Sequence, residues 1–166
     1  MCIRDRLKDA AHDVVSSDDC KRVELAARSY SWQYAVEFGQ LHDHMRLIGQ
    51  DNIRRYLPVR ELRIRIDVAD SPVEILSRVA AARSVGCRVT LSYQREIDPT
   101  SAAGKCLEWL DQATESWAAA IEFVEESDED LAKAIENGWA RRVRYARADR
   151  VPDVIRKAAN LSLIHI

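Results

Sequence analysis

The chain has 166 residues, with 25 Lys and Arg against 27 Asp and Glu and a formal net charge of −2 at pH 7. That balance supplies no long-range attraction to nucleic acid or to an anionic membrane surface. With 47% hydrophobic and 31% charged residues and no run near the ~20 apolar residues of a membrane span, the composition is that of an ordinary globular chain long enough to bury one core.

The two ends read differently from the rest. Met1-Cys2-Ile3-Arg4-Asp5-Arg6 is what ATG TGT ATA AGA GAC AG encodes, and Leu161-Ser162-Leu163-Ile164-His165-Ile166 is what CTG TCT CTT ATA CAC ATC encodes. Apart from their edges these strings are reverse complements, the mark of a transposase adapter used in library preparation. The expectation is that residues 1–6 and 161–166 are adapter-derived, that Met1 is no biological start, and that the absence of a signal peptide is uninformative. Folding information is then sought in residues 7–160, divided into a long helix with a polar loop (7–58) and an α/β segment (59–160).

In chain order, Cys20, Val23, Ala27, Tyr30, Tyr34 and Phe38 recur at three- and four-residue steps and predict a helix from Ser17 to Phe38, capped by Ser17 and led by Asp18 and Asp19. A loop dense in His, Asp, Asn and Arg follows from His42 to Pro58. Leu62, Ile64 and Ile66 then alternate with Arg63 and Arg65, the period of a strand with one wet face. Ser71-Pro72-Val73-Glu74 joins an N-cap serine, a proline at the first helical position and a capping-box glutamate, so a helix starts there with Val73, Leu76, Val79 and Ala80 as its buried stripe. Gly86 stands where a left-handed C-terminal cap is wanted, and Cys87 to Tyr93 reads as a strand with Cys87, Val89 and Leu91 on one face.

The pattern repeats. Ser101 to about Thr114 predicts a helix with Cys106, Trp109, Leu110 and Ala113 on one side. Ile121 to Val124 predicts a strand, Ser127 to Gly138 an acid-led helix, Val143 to Ala146 a fourth strand, and Val151 to Ala159 a last helix opened by Pro152. Strands alternating with helices of this length imply an α/β fold, a Rossmann-like parallel sheet with flanking helices and right-handed crossovers, incomplete and preceded by a long helix. Cutting such a sheet at arbitrary points leaves open edges, so residues 7–160 taken alone are expected to be only marginally stable.

The chemistry such a layer usually carries is not in the residues. A dinucleotide site needs glycines in the first strand-to-helix turn so that backbone amides reach the pyrophosphate. Here that turn is Asp67-Val68-Ala69-Asp70-Ser71-Pro72, with two carboxylates to repel phosphate and a proline that removes a donor. No catalytic, cofactor-binding or metal residue is assigned. His42-Asp43-His44 has the composition of a metal pair but no third ligand at a recognisable spacing, and surface histidines bonded to neighbours are commoner.

With Cys2 set aside, Cys20, Cys87 and Cys106 are odd in number, lack a C-x-x-C pair, and lie on apolar faces. That points to buried thiols and a reducing cytoplasm. Two arginine clusters stand out, one of Arg54, Arg55, Arg60, Arg63 and Arg65 with Tyr56, the other of Arg141, Arg142, Arg144, Arg147 and Arg150. Such clusters can bind phosphates, but arginines alternating on a strand more usually form its solvated face, and nucleic acid is not expected as a partner. Trp109 is placed in the core, and packing rather than base stacking is expected of Trp32, Trp117 and Trp139. The acids from Glu125 to Asp130 are read as a helix start rather than a glycosidase pair.

Ser29-Tyr30-Ser31-Trp32 through Phe38, His42-Asp43-His44, and above all Gly49-Gln50-Asp51-Asn52-Ile53-Arg54-Arg55-Tyr56-Leu57-Pro58 resemble the C-terminal part of bacterial bifunctional proline dehydrogenase/L-glutamate γ-semialdehyde dehydrogenases. The likeness continues through Ile64 to Ile66, Glu74-Ile75-Leu76, Gly86-Cys87-Arg88-Val89-Thr90 and Ala120 to Glu126, and so covers most of residues 7–160. The resemblance implies a parent of the aldehyde dehydrogenase superfamily, acting in proline catabolism with FAD in one module and NAD in the other. There a cysteine in a Gly-Gln-x-Cys context attacks the semialdehyde. Here the Gly-Gln pairs read Gly39-Gln40-Leu41-His42 and Gly49-Gln50-Asp51-Asn52, so no catalytic residue carries over. The resemblance is compatible with the dehydrogenase-like C-terminal domain without catalytic residues that longer members add.

The expected role is structural: partnership with the remainder of the parent polypeptide, room for an oligomer, and His42, His44, Gln50, Asn52, Arg54, Arg55 and Tyr56 as a packing loop ordered against the long helix and the missing parts. The alternative is a stand-alone α/β interaction or regulatory module whose arginines bind a partner or a small anion.

Overall fold

The computed structural model describes residues 14–43, 48–117 and 120–163, with the side chains of Trp117, Ser162 and Leu163 outside the description. Helix α1 (Ser17–Gln33) continues into a π-helical turn, Tyr34–Phe38. Its cap is Ser16 rather than Ser17, since the Ser16 hydroxyl accepts from the Asp19 amide at 3.1 Å. Two short strands, β1 (Leu41–His42) and β2 (Arg54–Arg55), pair antiparallel. The α/β layer follows as β3 (Glu61–Ile66), α2 (Pro72–Ser84), β4 (Arg88–Tyr93), α3 (Ala102–Thr114), β5 (Ile121–Glu125), α4 (Asp128–Glu136), β6 (Val143–Arg144) and α5 (Asp153–Leu163).

Local chemistry starts and stops these helices as the sequence implies. The Ser71 and Glu74 capping box is formed on both sides with Pro72 inside the first turn, and Ser101 and Ser127 each accept an amide from the third residue on. Gly86 and Gly138 both sit at φ +74°, the left-handed conformation that ends a helix at little cost only in glycine. The last helix runs to Leu163, beyond the expected Ala159 and across the boundary drawn at residue 160. Strand β6 is shorter than expected and stops at Arg144.

All four strands of the main sheet are parallel, in the order β5-β4-β3-β6. This is a Rossmann-like arrangement: β4 and β5 wind outward from β3, and the chain then returns to place β6 on the other side of it. Register puts Leu62, Ile64 and Ile66 beside Val89, Leu91 and Tyr93, and Val89 and Leu91 beside Ile121 and Phe123. That face meets α2, α3 and Val23 of α1 in the main core, where Ile64, Ile75, Leu76, Leu91, Cys106 and Leu110 are fully buried. A separate apolar cluster joins α4 to α5 through Leu131, Ile135, Ile155 and Ala158, with Val143 and Tyr145 against it. Among the described residues no helix is long and apolar enough to cross a membrane.

The opposite face of the sheet is polar without being wet. Arg65, expected on a solvated face, is 2% exposed. Its guanidinium donates to Ser92 Oγ at 2.7 Å, to the Glu126 carbonyl at 3.0 Å and to Asp128 Oδ1 at 2.7 Å. Arg63 donates to both carboxylate oxygens of Glu126, at 3.1 and 2.9 Å. Period-two alternation identifies a strand with two unlike faces, but here partners more than sixty residues away in sequence cover the second one.

One glycine is required by packing rather than by its backbone angles. A Cβ at Gly104 of α3 would lie 2.3 Å from the Asp98 carbonyl oxygen and 2.8 Å from Pro99 Cα, both backbone atoms of the turn that leads into the helix. That turn is pinned, because Ser101 returns its amide and hydroxyl to the Asp98 carbonyl at 3.0 and 2.6 Å. In an exposed helix interior Gly→Ala stabilises by about 1 kcal/mol. Here Gly104→Ala is expected to reverse the sign and cost about 1 to 3 kcal/mol, the range for forced overpacking. A urea titration checks this, and an increased midpoint at unchanged slope would refute it.

Candidate functional site

Three regions hold the side chains that could carry chemistry: the carboxyl ends of β3 and β6, the amino ends of β3 to β5, and the arm from Tyr34 to Pro58.

Open doubly wound sheets bind ligands outside the carboxyl ends of their strands where the winding reverses, and in this sheet that point lies between β3 and β6. It is filled by the chain's own side chains. Asp70, 2% exposed at the end of the turn after β3, pairs with Arg78 of α2 and with Arg150, which precedes α5. Arg150 also reaches Glu74 at 3.2 Å, and Arg78 donates to the carbonyls of Arg65 at 2.9 Å and Glu74 at 2.8 Å. The Ser71 amide, helped by Arg150 and the Ser71 hydroxyl, holds the Glu74 carboxyl below its usual range against the opposing effect of desolvation.

The sequence expectation that Asp67 and Asp70 repel a phosphate is refined by this geometry. Two guanidinium groups neutralise Asp70 and Glu74, so the crevice is closed by occupation rather than by negative charge. The sequence does not single out Arg78, and marks Arg150 only as one of an arginine cluster; they reach Asp70 from 8 and 80 residues away. After β6 the Tyr145 hydroxyl, within the field of Arg65, Asp128, Asp67 and Glu126, is buried without a hydrogen-bond partner among the described residues. Burial is the main cause that pushes its pKa up to about 12.

At the other end of the sheet a cleft of about 670 Å³ opens between the starts of β3, β4 and β5 and the segment after α4. Arg60, Arg63, Arg88, Arg141, Arg142 and Trp139 line it, with Glu61 and Glu122 as its carboxylates. Arg88 is paired with Glu122 at 3.1 Å and Glu61 at 3.7 Å. The two arginine clusters seen in the sequence therefore meet in part: Arg60 and Arg63 of the first, Arg141 and Arg142 of the second. Arg65 and Arg150 turn away from it, to the half-buried Asp128 and the buried Asp70. A further groove of about 740 Å³ runs beside β6 and α5, at the strand that ends the sheet.

The arm gathers some of the loop residues singled out in the sequence. Glu37 is its centre: Tyr56 Oη donates to its carboxylate at 3.1 Å, Arg54 lies 3.8 Å away, and the His42 ring meets its carbonyl at 2.9 Å. Phe38 and Tyr56 make an edge-to-face contact with centroids 5.0 Å apart, and the Arg54 guanidinium sits 5.4 Å from the Tyr56 ring. Gln50, Asn52, Arg54, Arg55 and Tyr56 are all exposed. The loop thus meets the end of the long helix, as expected, through local pairs made by exposed side chains. His44 lies outside the described residues, and among those described no group of three His, Cys, Asp or Glu gathers as a metal site.

The aromatic and thiol expectations divide. Trp109 is in the core, but Trp32 is 60% and Trp139 76% exposed, so neither packs as expected. The Trp117 side chain lies outside the described residues. Cys87 and Cys106 are buried and Cys20 half-buried. Burial raises the pKa of all three thiols, that of Cys106 to about 12, the reverse of what a reactive thiolate needs. Comparison with protein-family models, curated proteins and solved structures finds no match to this chain.

Proposed function

We propose that the chain is a structural α/β segment of a larger cytoplasmic enzyme of the bifunctional proline dehydrogenase/L-glutamate γ-semialdehyde dehydrogenase kind, in which it packs against the remainder of the polypeptide and supplies no reacting group. NAD and FAD belong, in this reading, to the other modules of the parent.

The observation that carries the proposal is the filled reversal point of the sheet. A Rossmann-like layer that served a dinucleotide would keep this crevice open above a glycine turn. Here Asp70, Arg78, Glu74 and Arg150 lock it from three parts of the chain. The arm adds support for packing. Val36, Phe38, Leu41, Ile53 and Leu57 of the arm, with Trp32 just before it, are large apolar residues left exposed, as suits a segment that packs against further chain.

The reading frame around this segment in its source DNA is the direct test. An upstream continuation with a Gly-Gln-x-Cys nucleophile and the glycines of a dehydrogenase is the expected result. A short self-contained frame, together with a cooperative and monomeric unfolding transition of residues 7–160, would overturn it in favour of a stand-alone interaction module.

A further inference from the structure

We propose that the cleft at the amino ends of β3, β4 and β5 is a binding site for a nucleoside polyphosphate, with the phosphates held by Arg60, Arg141 and Arg142 and the base stacked on Trp139. The site is independent of the parentage proposed above and lies at the opposite end of the sheet from the filled crevice.

Charge is the first argument. The chain as a whole carries −2, and most of its buried or half-buried arginines are matched to carboxylates. Arg63 has Glu126, Arg65 has Asp128, and Arg78 and Arg150 have Asp70. Arg60 and Arg142 have no side-chain partner among the described residues, and Arg141 reaches only the Gly138 carbonyl at 3.4 Å. Three guanidinium groups without a carboxylate partner thus line one concavity, and Arg88 is shared between the two carboxylates there, Glu61 and Glu122, so positive charge remains in excess. Guanidinium forks matched to phosphate oxygens are the usual protein answer to a polyanion.

Preorganisation is the second. The backbone beneath these arginines is tied into the sheet: the Arg60 carbonyl accepts from the Arg88 amide at 2.9 Å, and the Arg142 carbonyl from the Arg63 amide at 3.0 Å. Trp139 follows Gly138, whose φ of +74° ends α4, and both the Trp139 and Ala140 amides return to the Ala134 carbonyl at 2.9 and 3.0 Å. A large aromatic side chain, 76% exposed, is therefore held on a fixed turn beside the arginines. The volume, about 670 Å³, falls within the range of small-molecule sites.

Isothermal titration of the full chain with ATP, tripolyphosphate and adenosine separates the parts. ATP and tripolyphosphate are expected to bind saturably and to weaken as salt is raised, and adenosine alone to bind far more weakly. Arg141→Ala/Arg142→Ala should weaken both anions at least about tenfold, as expected for losing charged hydrogen bonds to phosphate. Trp139→Leu should weaken ATP about tenfold and leave tripolyphosphate unchanged. Arg95→Ala, at the other end of β4, should change neither. All four substituted positions are exposed, so unfolding midpoints should match the parent chain and folding does not confound the comparison. No saturable binding of either anion at millimolar concentration would overturn the site. So would binding that survives the double arginine variant. Equal affinity for ATP and tripolyphosphate, unaffected by Trp139→Leu, would overturn the assignment to a nucleotide.

Discussion

Asp70→Ala is expected to destabilise the fold by about 3 to 5 kcal/mol, the cost of removing one partner from a buried ion network and leaving its cations uncompensated. Asp70 is buried at the end of the turn after β3 and is the group through which three separate pieces of chain meet: that turn, Arg78 of α2 and Arg150 ahead of α5. Its carboxylate also accepts the Asp67 amide at 3.3 Å, which closes the turn on itself. Arg78 would keep two backbone carbonyls and Arg150 would keep Glu74, so both guanidiniums remain trapped near the protein with less charge to meet.

A domain has only about 5 to 15 kcal/mol of net stability, so the variant should lose a large share of it. Urea unfolding of the parent, Asp70→Ala, Arg150→Ala and the double variant measures this. The double variant should lose less than the two single losses added together, because the second substitution removes a cation that the first left unpaired. Strict additivity, or a loss under about 1 kcal/mol for Asp70→Ala, would show that the network does not hold the crevice shut.

What the sequence made legible is the part of the fold written in local chemistry. A serine that accepts an amide three residues on, a proline in a first turn and a glycine at a left-handed cap act within a single turn, and Ser71, Pro72, Gly86, Ser101, Ser127 and Gly138 each act where the sequence places them. The single displaced cap, Ser16 for Ser17, arises because two adjacent serines offer the same chemistry and only the backbone decides between them. Parallel order followed from alternation of strands and helices, although β6 lost two residues to the turn that carries Tyr145.

The candidate sites were less legible because they are made of long-range pairs. Arg63 and Arg65 alternate with apolar residues as surface arginines would, and only the return of the chain at Glu126 and Asp128 buries them. Arg60 and Arg141 belong to clusters eighty residues apart in sequence that share one cleft only because the strand starting at 143 is laid beside the one starting at 61. Asn52 and Arg55 drew attention by composition, but the structure leaves them exposed, while Glu37, which the sequence did not single out, organises the arm.

Arg65→Ala should likewise be costly, about 3 to 5 kcal/mol, whereas Arg65→Met should recover a substantial part of that loss. The two substitutions separate what the side chain does. Its aliphatic stem fills the polar face of the sheet between β4 and the start of α4, and its head donates to Ser92, to the Glu126 carbonyl and to Asp128. Alanine removes both and opens a cavity beside Ser92, which is fully buried. Methionine keeps the volume, and Asp128, whose side chain is 20% exposed and still receives Gln94 at 3.0 Å, can turn to water. Ser92 and the Glu126 carbonyl lose their donor in either case, so methionine should not restore full stability. The same contacts tie the first residue of α4 to the sheet, so hydrogen exchange in α4 should quicken more than in α2 or α3. Equal losses for alanine and methionine, with exchange in α4 unchanged, would show that Arg65 acts only by electrostatic pairing and does not anchor the helix.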